Sequence, residues 1–214
     1  MGKKKKEVTI EIIGGNAEGV TGSCTRIKTS EHCYLFECGM IQGKHTVLEN
    51  YRANMKYNQK IKPQEISFII IGHCHQDHIG MIPTLYARGK CNATIIVPKG
   101  STSILKEMWL DSSFINGRDV ELLNMKNDRN YEPFYTEDVV YKTLEHVKEI
   151  DSDNIINLSD ELAIRYTNAG HILLSKQCEV YINGGSHTRK ILFSSDLGNI
   201  ATQDSRVFVE DFQP

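Results

Sequence analysis

An α/β fold of two sheets with helices packed outside is what this sequence predicts, and three observations predict it. Apolar, β-branched runs open the chain; segments with helix-like apolar spacing fill its middle; β-branched runs return near its end. Glycine, proline and asparagine punctuate these segments, so most of them have a visible stop. With 214 residues, 40% of them hydrophobic, the chain can bury a core, and one domain over residues 1–214 is expected. No internal repeat or low-complexity linker is present.

Taken in order, Val8 to Ile13 alternates and meets Gly14-Gly15, a strand and its turn. Cys24 to Thr29 and Cys33 to Glu37 are the next strands, joined near Ser30-Glu31. Thr46 to Tyr57 has helical composition, and Pro63 closes that region. The apolar run Ile66-Ser67-Phe68-Ile69-Ile70-Ile71 reads as a buried strand. Ile79 to Ala87 has helical spacing and is followed by Gly89; Ala93 to Val97 is a short strand stopped by Pro98. Ser101 to about Asn130 is helical, with a break expected at Asn116-Gly117. Thr136 is placed as an N-cap, with Glu137 and Asp138 in the first turn of a helix to about Val147. Three closing strands follow: Leu162 to Ala169, Cys178 to Ile182, and Ile191 to Ser195.

The bulk numbers exclude several classes. A net charge of −2 and a pI near 6.4 do not describe a dedicated nucleic-acid coat, though they leave a nuclease open. The six cysteines form no Cys-x-x-Cys pair and no framework, so they read as reduced thiols in a cytoplasmic protein. No apolar run reaches bilayer length, and no membrane partner is expected. The basic start Met1-Gly2-Lys3-Lys4-Lys5-Lys6 reads as a solvated terminus, with a weak contact to nucleic acid or an anionic surface as the sharper alternative.

The chemistry concentrates in His73-Cys74-His75-Gln76-Asp77-His78, which directly follows the buried strand. Residues two apart in an extended segment point the same way, so His73 and His75 can hold one ion together. Asp77 and His78 lie where the chain turns and can face a second ion. Cys74 alternates away and reads as a small buried residue. Two later strand ends carry further donors, His171 after Gly170 and Asp196 after Ser195. Each alone is weak evidence. Together they complete a set: His73, His75 and His171 for one cation, Asp77 and His78 for the other, Asp196 between them. Imidazole and carboxylate suit zinc, and also manganese or iron. Two such cations form a hydroxide at neutral pH and polarise the electrophile, and Asp77 can orient or deprotonate the attacking water. The remaining histidines, His32, His45, His146 and His187, are assigned to solvent or local hydrogen bonds.

These residues resemble the metallo-β-lactamase superfamily, whose His-x-His-x-Asp-His motif His73 to His78 matches, with Gly170-His171 and Asp196 in the order of its later motifs. The resemblance runs from about Val8 to about Asn199. It implies an αββα sandwich and a site of two divalent metal ions. Phe36-Glu37-Cys38-Gly39-Met40-Ile41-Gln42-Gly43, Ala169-Gly170-His171-Ile172-Leu173 and Phe193-Ser194-Ser195-Asp196-Leu197-Gly198 are similar to the β-CASP group of RNA-processing nucleases. This branch implies a metal-dependent nuclease, with RNA ahead of DNA as substrate. Three departures stand out. Glu37 occupies the place of a usual Asp that orients a ligand, so its extra methylene is expected to alter ligand position. Leu174 replaces a usual Gly, which is expected to crowd the substrate side. No His follows Asp196, where the group has an inserted domain and then a returning segment with a catalytic and a ligand His. The expectation is therefore an N-terminal portion of the fold, incomplete at its C-terminus, with a second sheet short of strands and pairing with a missing segment or in a homodimer.

Three functions follow, in order. The first is a hydrolase of nucleic-acid phosphodiesters, RNA above all. The second is a small-molecule thioester or lactone hydrolase of the same fold. The third is a catalytically incomplete fragment that binds metal or a partner without turnover.

Overall fold

A computed structural model describes residues 7–15, 19–126, 129–151, 153–183 and 188–198 of the chain. His187 and the basic terminus Met1 to Lys6 lie outside the described residues. The first sheet has six strands in chain order: β1 (Thr9–Gly14), β2 (Cys24–Lys28), β3 (Cys33–Phe36), β4 (Ile66–Ile70), β5 (Thr94–Pro98) and β6 (Val147–Ile150). β1, β2 and β3 pair antiparallel, and β3 to β6 pair parallel. The second sheet is antiparallel, in the order β10 (Thr188–Phe193), β9 (Lys176–Asn183), β8 (Leu162–Asn168), β7 (Ile156–Asn157).

Between β3 and β4 lies α1 (Val47–Asn58). Thr46 caps it, with Glu49 returning the bond to the Thr46 amide, a reciprocal pair that satisfies two end N–H groups. α2 (Gln76–Ile79) and α3 (Ile82–Ala87) follow β4; α4 (Ser101–Lys126) and α5 (Glu137–Leu144) follow β5. Parallel neighbours need such crossovers, which is why the helices interleave with β3 to β6.

Two cores result. Ile69, Ile95 and Val97 face the helices, among them buried Leu85, Leu105, Trp109 and Val140. Ile70, Ile96, Tyr34 and Phe36 point the opposite way and meet Leu162, Ile164, Tyr166, Val180 and Ile182 of the second sheet. Burial on both faces explains why β4 and β5 read as continuous apolar runs, whereas β8 alternates. The layers are therefore helices, sheet, sheet, a mixed α/β sandwich. Among the described residues no helix covers the outer face of the second sheet, and none is long and apolar enough to cross a membrane.

Four sequence expectations are corrected. α4 runs unbroken through Asn116-Gly117, because Asn116 bonds back to the Ser112 carbonyl and Gly117 sits in open space. The helix that starts after Thr136, whose side chain makes no capping bond, stops at Leu144; Val147 to Ile150 is instead β6, fixed by pairing with β5. The single helix Ile79 to Ala87 is two, α2 and α3, parted at Gly80-Met81. The last described strand is Thr188–Phe193, so Ser194 and Ser195 lie past its end.

Candidate metal centre

All six ligand-type residues of the sequence reading lie past the ends of strands or on the turn that follows. His73 and His75 follow β4, Asp77 and His78 lie on α2, His171 follows β8, and Asp196 follows β10. α2 is a single turn held from both sides. Trp109 donates from Nε1 to the Ile79 carbonyl (3.1 Å), and Gln76 donates to the Met108 carbonyl (2.6 Å), so α4 buttresses it. The segment Glu37 to Met40 is laced to it through Cys38 N–H to His78 O and Met40 N–H to Gln76 O, both 2.9 Å. Residue 39 must be glycine here: a Cβ would stand 1.6 Å from the Asp77 carbonyl oxygen.

The donor atoms lie close together. His73 Nε2 lies 3.1 Å from His75 Nδ1, and His171 Nε2 lies 3.3 Å from the same atom. Asp196 Oδ2 closes the group at 3.6 Å from His171 Nε2 and 3.9 Å from His73 Nε2. Its other oxygen, Oδ1, reaches 3.4 Å from His78 Nε2, which is 3.6 Å from Asp77 Oδ2. Asp196 therefore lies between a three-imidazole group and the His78–Asp77 pair.

A buried carboxylate sets the tautomers. Glu37 Oε2 accepts from His78 Nδ1 at 2.6 Å and from the Ser23 hydroxyl at 2.6 Å. Its Oε1 accepts from Ser195 Oγ at 2.7 Å, and Ser195 Oγ in turn stands 3.0 Å from His73 Nδ1. With Nδ1–H committed in both rings, His73 and His78 present Nε2 lone pairs to the centre. The longer Glu37 side chain thus still reaches His78, from a backbone with left-handed φ of 61°. Leu174 is also left-handed (φ 63°), where glycine would be unstrained, and its Cδ1 packs toward Gly100.

Electrostatics favour the neutral rings of His73 and His75, and the protonated ring of His78. Burial, then the neighbouring His78, His75 and His171, push His73 down to about 2. Burial and then His171 lower His75 as well. For His78, burial pulls downward but the hydrogen bond and charge of Glu37, with Asp77 and Asp196, outweigh it and raise the ring. A cluster of imidazole lone pairs and carboxylates at 3–4 Å matches the donor chemistry of a divalent transition ion. Ser195 and Ser23 were not singled out from sequence; a serine before an aspartate carries no signal until Glu37 is seen beneath it. Cys74 is buried and apolar-packed, as expected. His45 is exposed ahead of α1, and the His146 ring lies tilted against Tyr86 with ring centroids 4.8 Å apart.

The profile of the metallo-beta-lactamase superfamily matches residues 17–161. The chain is 25% identical over 195 residues to the transcription termination factor FttA of Methanosarcina mazei, covering 90% of this chain and 28% of that protein. It is 25% identical over 185 residues to Ribonuclease TTHA0252 of Thermus thermophilus (86% and 37%). It is 23% identical over 183 residues to an RNase J-like protein of Methanocaldococcus jannaschii (86% and 35%). The chain thus spans 28–37% of the length of these relatives. Among solved structures, human tRNase Z, short form, aligns over 91% of this chain and 69% of its own, at 18% identity and a TM-score of 0.48.

Proposed function

Because the chain belongs to the metallo-β-lactamase superfamily, we propose that it is a divalent-metal-dependent hydrolase of nucleic-acid phosphodiesters, with RNA as the substrate. The observation that carries the reading is the convergence of His73, His75, His171 and Asp196 on one point, with His78 and Asp77 on the far side of Asp196. The names of two relatives, a ribonuclease and an RNase J-like protein, support RNA. In this reading His73, His75 and His171 would hold one cation, Asp77 and His78 would hold the second, and Asp196 would be available to both. Zinc is the metal proposed, with manganese and iron compatible with the same donors. When bound, such cations make water acidic and neutralise charge on a phosphoryl oxygen. Asp77 orients or deprotonates the attacking water. Glu37 and Ser195 keep the His78 and His73 rings aimed. A cytoplasmic setting is part of the reading, and the six cysteines, all buried free thiols, suit it.

The test is elemental analysis of the purified chain and of His73→Ala, with hydrolysis of a fluorescent RNA, a chromogenic phosphodiester and a thioester. RNA cleavage that a chelator abolishes and added metal restores, absent in His73→Ala, is expected. Thioester turnover without RNA cleavage would transfer the reading to the small-molecule hydrolases. Bound metal with no turnover at all would leave a binding fragment.

A further inference from the structure

A second group of cation donors lies at the opposite pole of the sandwich, and it owes nothing to the site above. The strands that end in Glu37 and His171 begin beside Glu31, His32 and Glu161. Ligand atoms of these three residues all lie within 4.8 Å of one another. Glu31 is exposed, His32 is 39% exposed, and Glu161 is only 5% exposed.

The buried carboxylate is half satisfied. Glu161 Oε2 accepts from the Tyr34 and Thr29 hydroxyls, both at 3.1 Å, and faces His32 Nε2 at 3.9 Å. Glu161 Oε1 is equally buried and has no hydrogen-bond partner. A carboxyl oxygen withdrawn from water without a partner is costly, and native structures fill such places with a donor, a water or an ion. The imidazole beside it is already prepared. His32 Nδ1 lies 3.3 Å from Ser67 Oγ, which leaves Nε2 toward Glu161, and the ring stacks on Tyr34. The Thr29 hydroxyl accepts from the Glu31 and His32 amides (3.2 and 3.0 Å), holding both donors in the turn that faces Glu161.

We propose that Glu31, His32 and Glu161 form a second, structural divalent-cation site, of the zinc class, that ties the β2–β3 turn of one sheet to the start of β8 in the other. One imidazole and two carboxylates select a transition ion over calcium, which takes oxygen donors alone. Such an ion would close the sandwich at the end remote from the candidate centre, and hydrolysis would not depend on it.

The test is zinc loading of the whole chain, followed by removal of excess ion and elemental analysis, on wild type, His32→Ala and Glu31→Gln. Both substitutions are at exposed or half-exposed positions, so folding is retained. About one zinc ion fewer per chain is expected in His32→Ala, with a smaller zinc-induced rise in melting temperature and unchanged RNA cleavage. In parallel, the His32 Nε2 resonance of wild type should shift on zinc addition, and should do so equally in the His73→Ala background. That arm separates this inference from the fate of the proposed activity. Equal zinc content in wild type and His32→Ala, or a His32 Nε2 resonance that does not move in saturating zinc, would reduce the trio to an ion pair and overturn the site.

Discussion

Glu37 has three partners: the His78 ring, the Ser23 hydroxyl and the Ser195 hydroxyl. Through Ser195 it also reaches His73, so one buried carboxylate aims one imidazole from each side of Asp196. Glu37→Gln keeps the shape and removes the charge. Loss of such outer partners typically weakens metal binding about 10–100-fold. That drop is expected for Glu37→Gln in a chelator-competition titration, with the far-ultraviolet circular dichroism unchanged; wild-type affinity would show that Glu37 only fills space. At this scale the donors were readable as candidates, because histidines two apart beyond a strand can serve one ion when the segment is extended, as the backbone is at His75. It was not legible for Ser195 and Ser23. Their role depends on a carboxylate that is 158 residues from one and 14 from the other.

Among elements, the unbroken α4 yields a stability prediction. Gly117 lies inside the helix, and a Cβ there would meet nothing within 4 Å. Gly117→Ala should therefore stabilise by about 0.5–1 kcal/mol, by removing backbone freedom from the unfolded chain; a melting temperature equal to or below wild type would contradict it. Glycine was read as a break because propensity is local, whereas α4 is held by tertiary burial of Leu105, Trp109, Val120 and Leu123. β6 was missed for the converse reason: Val147-Lys148-Glu149-Ile150 has too few apolar residues to signal a strand, and pairing with β5 makes it one. The second sheet supplies a pH prediction. Arg165 from β8, with Lys190 from β10 and Tyr181, holds the Glu179 carboxyl at about 2, below its ordinary 4.5. A lowered folded value gives stability that is complete above about 4.5 and is lost as pH falls toward 2. Acid titration followed by fluorescence should show Glu179→Gln less stable at neutral pH and with a shallower decline over that window. Parallel curves would mean the cluster contributes nothing.

On the scale of the whole molecule, the two sheets must stay in register for the donors of β4 and α2 to meet those of β8 and β10. The sandwich was legible from the order of strands, helices and strands along the chain, and β4 and β5 are indeed buried on both faces, between the helices and the second sheet. How the sheets are locked together was not, since it depends on side chains that cross between them, Tyr166 among them. Tyr166, fully buried on β8, donates to the Ile71 carbonyl at 2.7 Å, with the Ile96 carbonyl at 3.2 Å. Ile71 is two residues before His73, so this bond fixes the second sheet against the root of the metal-donor segment. Tyr166→Phe keeps the ring packing with Ile164 and Val180 and deletes only the donor. The buried acceptor is then left short of a partner, a loss of about 1–3 kcal/mol. Urea unfolding should therefore show a lower midpoint with an unchanged slope and a single transition for both sheets. Because the bond ends at Ile71, metal affinity should fall in the same variant, while Gly117→Ala, on the far side of α4's buried stripe, should leave it untouched. Two resolved transitions in Tyr166→Phe, or a weakened centre in Gly117→Ala, would show that the coupling runs through the helices and not through the sheet interface.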